Sequence, residues 1–389
     1  MPVSTPATAV IVGSGIVGAA TAYFLTQHGV KVTLLDAVAP AAEATGAADG
    51  AVSVASKRPG PMMTAALSGV ALYRELAATG LFSDIFKSRS TFIVAASNEE
   101  CEVLHAHAAA LAGAGVRVEL LAAADVRQRF SALSTQARLV VEVHDEGHAI
   151  GYQIVHRFLT TAGVTVHRAS PVRSILTGGG RCAAGVVTQD GEIRADIVIV
   201  AAGNGSAELL RLENVLTPRK GQLLVTERAP ALNASMPGSI MSGRYLLSKG
   251  SQKGGVTVPR GLGLVIDPLR TGQFLIGGTR EDHGSRQTND LDAVGRILRH
   301  AVALVPKLAS VRLLRSFAGL RTAVVDGLPL VGRIPGYENA FVATGFEGDG
   351  ICLGPVVGRA LASLACGAEP AIDLRPFAPS RFADHGVVA

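Results

Sequence analysis

The run Gly13-Ser14-Gly15-Ile16-Val17-Gly18 carries its glycines at the spacing of a pyrophosphate-binding turn. Gly13 permits the tight turn, Gly15 lets backbone N–H groups reach a phosphate, and Gly18 allows a helix to pack closely on a strand. Asp36 follows Gly15 by 21 residues, where a carboxylate can accept a hydrogen bond from a ribose hydroxyl. Near the other end of the chain stands a second glycine-rich turn, Gly345-Phe346-Glu347-Gly348-Asp349-Gly350-Ile351. Successive N–H groups in such a turn make a second nest for anions. Arg321, in Gly319-Leu320-Arg321, offers a planar fork that suits a carboxylate better than a lysine would. Its plainer reading is an arginine paired with Asp326.

Other reactive residues are weaker signals. His144-Asp145-Glu146-Gly147-His148 falls short of a zinc-binding H-E-x-x-H, because the acid in second place is Asp145 and Gly147 argues against a helix. His105 and His107 flank Ala106 on an expected helix and so point to different faces. Cys101, Cys182, Cys352 and Cys366 lie far apart and supply neither a cluster nor a metal site. No metal is expected. Cys352 reads as a small buried hydrophobe, and Lys57-Arg58 as a solvated pair.

The elements that must position these residues can be read from periodicity. Residues 9–12 form an apolar strand, 19–27 a helix and 31–35 a second strand that ends at Asp36. This βαβ unit places the first glycine turn at a helix N-terminus, where free N–H groups favour phosphate. Helices are expected at 64–78, 99–112, 152–161, 291–305 and 351–366, and strands at 88–96, 139–143, 164–167 and 340–344. A hairpin turns through Asp190-Gly191, and 197–200 reads as a buried parallel strand. Residues 222–226, 263–266 and 273–277 suggest an antiparallel sheet, and 248–255 a flexible loop.

Composition narrows the class. The 389 residues are 48% hydrophobic and 17% charged, which suits two or three folded domains and argues against disorder. The longest apolar stretches, 9–25 and 351–366, are broken by Gly13, Gly15 and Gly18 or by Arg359, so neither reads as a membrane span. No Lys or Arg precedes Lys31 to form the basic start of a secretion signal, and a cytoplasmic protein is expected. The net charge of +5 is scattered, and aromatics are only 4% with no Trp, which argues against a nucleic-acid surface. The first glycine turn alone leaves NAD and FAD open.

Taken together, the motifs resemble the FAD-dependent amino-acid and amine oxidoreductases of the D-amino-acid oxidase and glycine oxidase type. The resemblance rests on GSGIVG with Asp36, ATGAADG over 44–50, ADIVIVAAG over 195–203, GLRTAVVDGLPLVGR over 319–333 and ATGFEGDGICLGP over 343–355. It looks most like the FAD-bearing β subunits of heteromeric dehydrogenases for opines, D-hydroxyproline or glycine. It implies an α/β fold, with a glutathione-reductase-like Rossmann domain (1–85, 150–217 and 316–389) binding FAD noncovalently. An interleaved α+β substrate domain (86–149 and 218–315) would be built on an antiparallel sheet.

The resemblance also assigns residues. Gly13, Gly15, Ile16, Val17, Gly18 and Asp36 would hold the ADP half, and Val172 would meet the adenine through its backbone. Ala44, Thr45, Asp49, Gly50 and Ala51 would follow the pyrophosphate and flavin, with Gly203 and the 345–351 turn near the flavin. Arg321 would bind the substrate carboxylate. An amino or imino acid would then lose hydride from Cα to flavin N5, and a second redox subunit would accept the electrons. A self-sufficient peroxide-forming oxidase and a non-catalytic electron-transfer subunit are the alternatives. The chain departs from the family pattern at Thr322 and Asn204-Gly205, and it has no tyrosine over 262–268.

Overall fold

A computed structural model describes residues 6–250, 261–282, 285–286 and 288–385. Two large sheets organise the chain. The first is six-stranded, in the order 330–333, 340–344, 197–200, 8–12, 31–35, 166–167. At its centre lies β1 (Thr8–Val12), flanked in parallel by Ile197–Val200 and by β2 (Lys31–Leu35). These strands are apolar because both faces are covered. Ile197–Val200 is buried at every residue, and only the outermost pair, Leu330–Arg333 with Ala340–Thr344, is antiparallel.

Helices cover one face. α1 (Ile16–Gln27) connects β1 to β2, and Gly151–Ala162 and Gly350–Ala365 pack beside it. Close approach depends on two glycines in the last of these helices. A Cβ at Gly354 would come within 2.8 Å of Ile16, and one at Gly358 within 2.6 Å of Ala20. On the opposite face a three-stranded antiparallel unit, Val172–Thr177, Ala183–Thr188 and Gly191–Arg194, buries Ala183 and Val186 against Val10, Val198 and Val200.

The second sheet has eight strands, in the order 313–324, 216–226, 274–280, 261–268, 238–242, 90–95, 139–143, 118–122. It is antiparallel except at one seam, where Gly238–Ser242 runs parallel to Ser90–Ala95. The seam joins segments far apart in sequence, so no short hairpin dictates their direction. Helix Leu291–Leu304 buries Val294, Ile297 and Ala301 against Leu224, Ile266 and Ile276 of this sheet. Among the described residues, no helix is long and apolar enough to cross a membrane.

Most expected elements stand within a residue or two at each end, but four points differ. A strand for which no range was expected, Leu313–Val324, runs through Arg321. The strand expected from 222 begins at Leu216. Gly238–Ser242 and Val118–Ala122 were not expected. Within the expected loop at 248–255, residues 248–250 close helix Arg244–Gly250, and the rest lies outside the described residues.

Candidate active site

Between the two sheets lies a cavity of about 570 Å³, and the glycine turn after β1 forms one wall. Gly13 has φ +101°, and a Cβ there would stand 2.4 Å from the Ala201 carbonyl oxygen. A Cβ at Gly18 would meet the Gly13 carbonyl oxygen at 1.9 Å, so this position fixes how close α1 comes to the turn. α1 starts without a side-chain cap from Gly15 and without an acid in its first turn. Its positive end therefore faces the cavity, as an anion site requires. Thr45 closes the same corner, its hydroxyl accepting from Ile16 N–H at 3.1 Å.

Asp36 ends β2 in a prepared acceptor position. Its Oδ2 accepts from the Ser14 N–H at 2.8 Å and the Ser14 hydroxyl at 2.6 Å, and its Oδ1 from the Val38 N–H at 2.8 Å. Val172, from the three-stranded unit, lines the cavity at this end. The 345–351 turn lines it further along. Gly345 takes φ +81° and Glu347 +46°, and the Glu347 N–H donates to Thr322 at 2.9 Å.

The cavity collects most of the residues singled out in the sequence. Gly13, Gly15, Ile16, Val17, Asp36, Ala44, Thr45, Asp49, Val172, Gly203 and Arg321 line it. So do Gly345, Phe346, Glu347, Gly348, Gly350 and Ile351. Gly18, Gly50, Ala51 and Asp349 stand behind that wall. Ala51 pairs with His148, and Asp349 takes an ion pair from Lys57 at 2.5 Å. Lys57 is thus buried, 7% exposed, rather than the solvated residue its sequence suggests.

Arg321 projects from the edge strand of the second sheet into the cavity. Its guanidinium lies over Gly221, where a Cβ would come within 2.7 Å, and Nη1 donates to the Thr279 carbonyl at 3.0 Å. Asp326 is not its partner; that carboxylate binds Arg381 at 2.7 Å. Burial and the nearby Arg280 both lower the proton affinity of Arg321. A guanidinium crowded by another positive charge favours an incoming carboxylate.

Arg219, Arg280 and Tyr245, which the sequence did not single out, complete this end around Glu347. Glu347 Oε1 accepts from Arg219 at 2.9 Å and from Arg280. Burial would raise its pKa, but Arg280 and Arg219 hold it down at about 2. Arg280 also lies over the ring of Tyr245, 5.7 Å from its centroid. Tyr245 comes from helix Arg244–Gly250 and packs on Gly263, where a Cβ would be 2.6 Å from the ring. A tyrosine therefore does reach strand Gly261–Pro268, from outside its sequence. Its only cue is the glycine that makes room.

The remaining candidates have structural roles. Burial pushes the Cys352 thiol up to about 12, which leaves it protonated and inert. His107 Nε2 bonds the Ala55 carbonyl oxygen at 2.7 Å. Glu146 is buried and accepts from Val54 N–H at 2.6 Å, Ala55 N–H at 2.8 Å and the Ser53 hydroxyl at 2.8 Å. His144 instead meets Glu119 and Glu142, whose carboxylates Arg129 already bridges.

This is a cleft with a glycine turn at a helix N-terminus, a carboxylate at the end of β2, a second glycine-rich turn and a guanidinium at one end. The comparisons agree with it: residues 8–364 match the FAD dependent oxidoreductase (DAO) family. The chain belongs to that family. It is 30% identical to a glycine oxidase of Pseudomonas aeruginosa, over 95% of this chain and 98% of that one. It is 32% identical to the hydrogen cyanide synthase subunit HcnC of Pseudomonas protegens, over 57% of this chain and 49% of that one. The crystal structure of glycine oxidase from Geobacillus kaustophilus shares the fold, with a TM-score of 0.84 at 24% identity over 97% and 99% of the two chains.

FAD is the cofactor of this family, and the cradle fits it. A side chain at Gly13 would collide with the backbone of Ala201 and Ala202, so the wall there stays bare and leaves room for a large ligand. Asp36, held by Ser14, would stand at the ribose end of the cofactor. When bound, FAD supplies the hydride acceptor. The protein supplies position and charge.

Proposed function

We propose that this chain oxidises the Cα–N bond of an amino or imino acid, by hydride transfer from Cα to flavin N5. One observation carries the reading: Arg321, a half-buried guanidinium without a carboxylate hydrogen-bonded to it among the described residues, opens into the cavity that holds the phosphate cradle. A carboxylate bound there is anchored bidentately, which fixes Cα relative to the cofactor. The first cofactor segments and the 345–351 turn would hold FAD noncovalently. No cysteine lies near Arg321 in sequence to attach it, since Cys352 is 31 residues further on. Residues 1–85, 150–217 and 316–389 would serve as the FAD lobe, and 86–149 and 218–315 as the substrate lobe.

In this reading the chain is the catalytic subunit of a cytoplasmic heteromeric dehydrogenase for D-hydroxyproline, an opine or a D-amino acid. Its four cysteines are dispersed and give it no cluster of its own to carry electrons onward. The likeness to a cyanide synthase subunit supports a partner. The likeness to a glycine oxidase over nearly full length favours a second reading, a self-sufficient oxidase that forms peroxide.

Purified chain, mixed with candidate amino acids without oxygen, separates them. Flavin absorbance that bleaches with one substrate class supports amino-acid oxidation, and absorbance that no amino acid bleaches overturns it. Rapid recovery of colour in air marks an oxidase. Slow recovery, accelerated by an artificial acceptor, marks a dehydrogenase that needs a partner.

A further inference from the structure

We propose that Asp49 is the base that takes a proton from the substrate's ammonium group before the Cα–N bond is oxidised. The inference rests on the amino-acid reading above and adds to it a residue for proton transfer. Amino acids carry –NH₃⁺ at neutral pH, and an ammonium nitrogen has no lone pair to assist loss of hydride from Cα. Something must accept that proton. Asp49 faces the same cavity as Arg321, and the two charges lie close enough to influence each other. A substrate whose carboxylate sits on Arg321 carries its nitrogen on the adjacent carbon, within the same cavity that Asp49 lines.

The surroundings of Asp49 keep it available as an acceptor. Its Oδ1 accepts from the Ala51 N–H at 3.1 Å, and no guanidinium hydrogen-bonds it among the described residues. Arg89 is committed elsewhere: it pairs with Asp267 and donates to the Pro268 carbonyl at 2.8 Å. Arg321 donates to Thr279. Asp267, on strand Gly261–Pro268, is almost fully buried. Its Oδ1 accepts from Arg89 and from the Ser239 hydroxyl at 2.6 Å, while Oδ2 has no hydrogen-bond partner among the described residues. A second buried carboxylate therefore stands beside Asp49. His148 bonds the Asp49 carbonyl oxygen at 2.8 Å but is neutral, its pKa held at about 4 by burial and Arg89.

Among the described residues, Asp267, Arg321, His148 and Arg89 act electrostatically on Asp49. Burial and Asp267 raise its affinity for a proton, and the Ala51 bond, Arg321 and His148 oppose them. A carboxylate with raised affinity is a stronger base than one in water, as amine deprotonation requires. In the transfer one ammonium N–H bond breaks and leaves its electron pair on nitrogen. An O–H bond forms on Asp49. The Cα hydride then leaves with two electrons to FAD, and the product is the iminium that water hydrolyses. The Asp49 proton returns to solvent before the next turnover.

The test is the pH dependence of anaerobic flavin bleaching by the best substrate, in the wild type, Asp49→Asn and Asp49→Glu. The wild type should lose rate in acid along one carboxylate ionisation. Asp49→Asn should abolish that limb and slow neutral-pH bleaching by roughly 100-fold, the usual scale of a general base. Its remaining rate should rise about tenfold per pH unit, following the free amine. Asp49→Glu should keep a limb at a shifted pH. A second readout is independent of turnover: binding of the same acid without its amino group, followed by flavin perturbation, should change less than about threefold in Asp49→Asn.

Bleaching in Asp49→Asn at the wild-type rate, with the acid limb intact, overturns the proposal and leaves amino-acid oxidation standing. So does an acid limb unmoved in Asp49→Glu, should the asparagine variant fail to hold FAD. A wild type bleached by no amino acid overturns both readings.

Discussion

At the scale of single residues, Arg321 carries the sharpest expectation. Arg321→Ala removes the only anchor assigned to the substrate carboxylate. Losing one partner of a buried charged pair costs about 2–5 kcal/mol, so kcat/KM should fall at least about 30-fold while the flavin spectrum is retained. Arg321→Lys keeps the charge but loses the fork, and should recover only part of the activity. Steady-state kinetics beside the visible spectrum checks both, and unchanged kcat/KM in Arg321→Ala sinks the anchor.

His148 makes a second residue-scale expectation, on stability. Its folded pKa is about 4 against an ordinary 6.5, because burial and Arg89 disfavour the charged ring. Below pH 6.5 the unfolded chain binds a proton there that the folded chain refuses, so stability falls with decreasing pH until about 4. The loss over that window is about 3 kcal/mol, and above it this group contributes no slope. His148→Gln keeps a donor for the Asp49 carbonyl and removes the titration. Urea midpoints measured at neutral pH and in mild acid should therefore differ less in the variant than in the wild type.

At the scale of elements, the N-terminus of α1 is an electrostatic device. Gly15→Asp sets an anion where the turn must receive a phosphate, against the positive end of the helix. FAD affinity should fall at least tenfold, read by ultrafiltration of the released flavin. The elements were legible where one physical rule dominated. Glycine spacing, the apolar run of β1 and the acid that ends β2 pointed together to the cradle. Strand Leu313–Val324 was not legible as a whole. Gly319 weakens its β pattern, yet a Cβ there would lie 2.4 Å from Ala47, so the glycine is required by a contact the sequence does not display. The same holds for Tyr245 and Arg280, which meet at the cavity from separate elements. Lys57 misled for a related reason. Its partner Asp349 is 292 residues away, and nothing local marks the pair as buried.

At the scale of the whole molecule, the cavity lies between the two sheets and takes lining residues from both, so cofactor and fold should be linked. A ligand that binds only the folded state stabilises it by about 2.7 kcal/mol when free ligand is 100 times Kd. Removing FAD should accordingly lower the melting temperature by several degrees, and titrating it back should restore the value in a concentration-dependent way. An apoprotein that melts at the holoprotein temperature would show that the cavity is not where FAD binds.

The order of strands in the first sheet has a consequence for synthesis on the ribosome. β1 emerges well before one of its two neighbours, Ile197–Val200, which is made nearly two hundred residues later. The helix that packs on α1 through Gly354 and Gly358 comes later still. Until both are made the phosphate-binding turn hangs from a strand without its full set of partners, exposing the apolar faces of β1 and α1. The nascent chain has to be kept from aggregating while it waits, and the cradle can take its final form only after helix Gly350–Ala365 has left the exit tunnel.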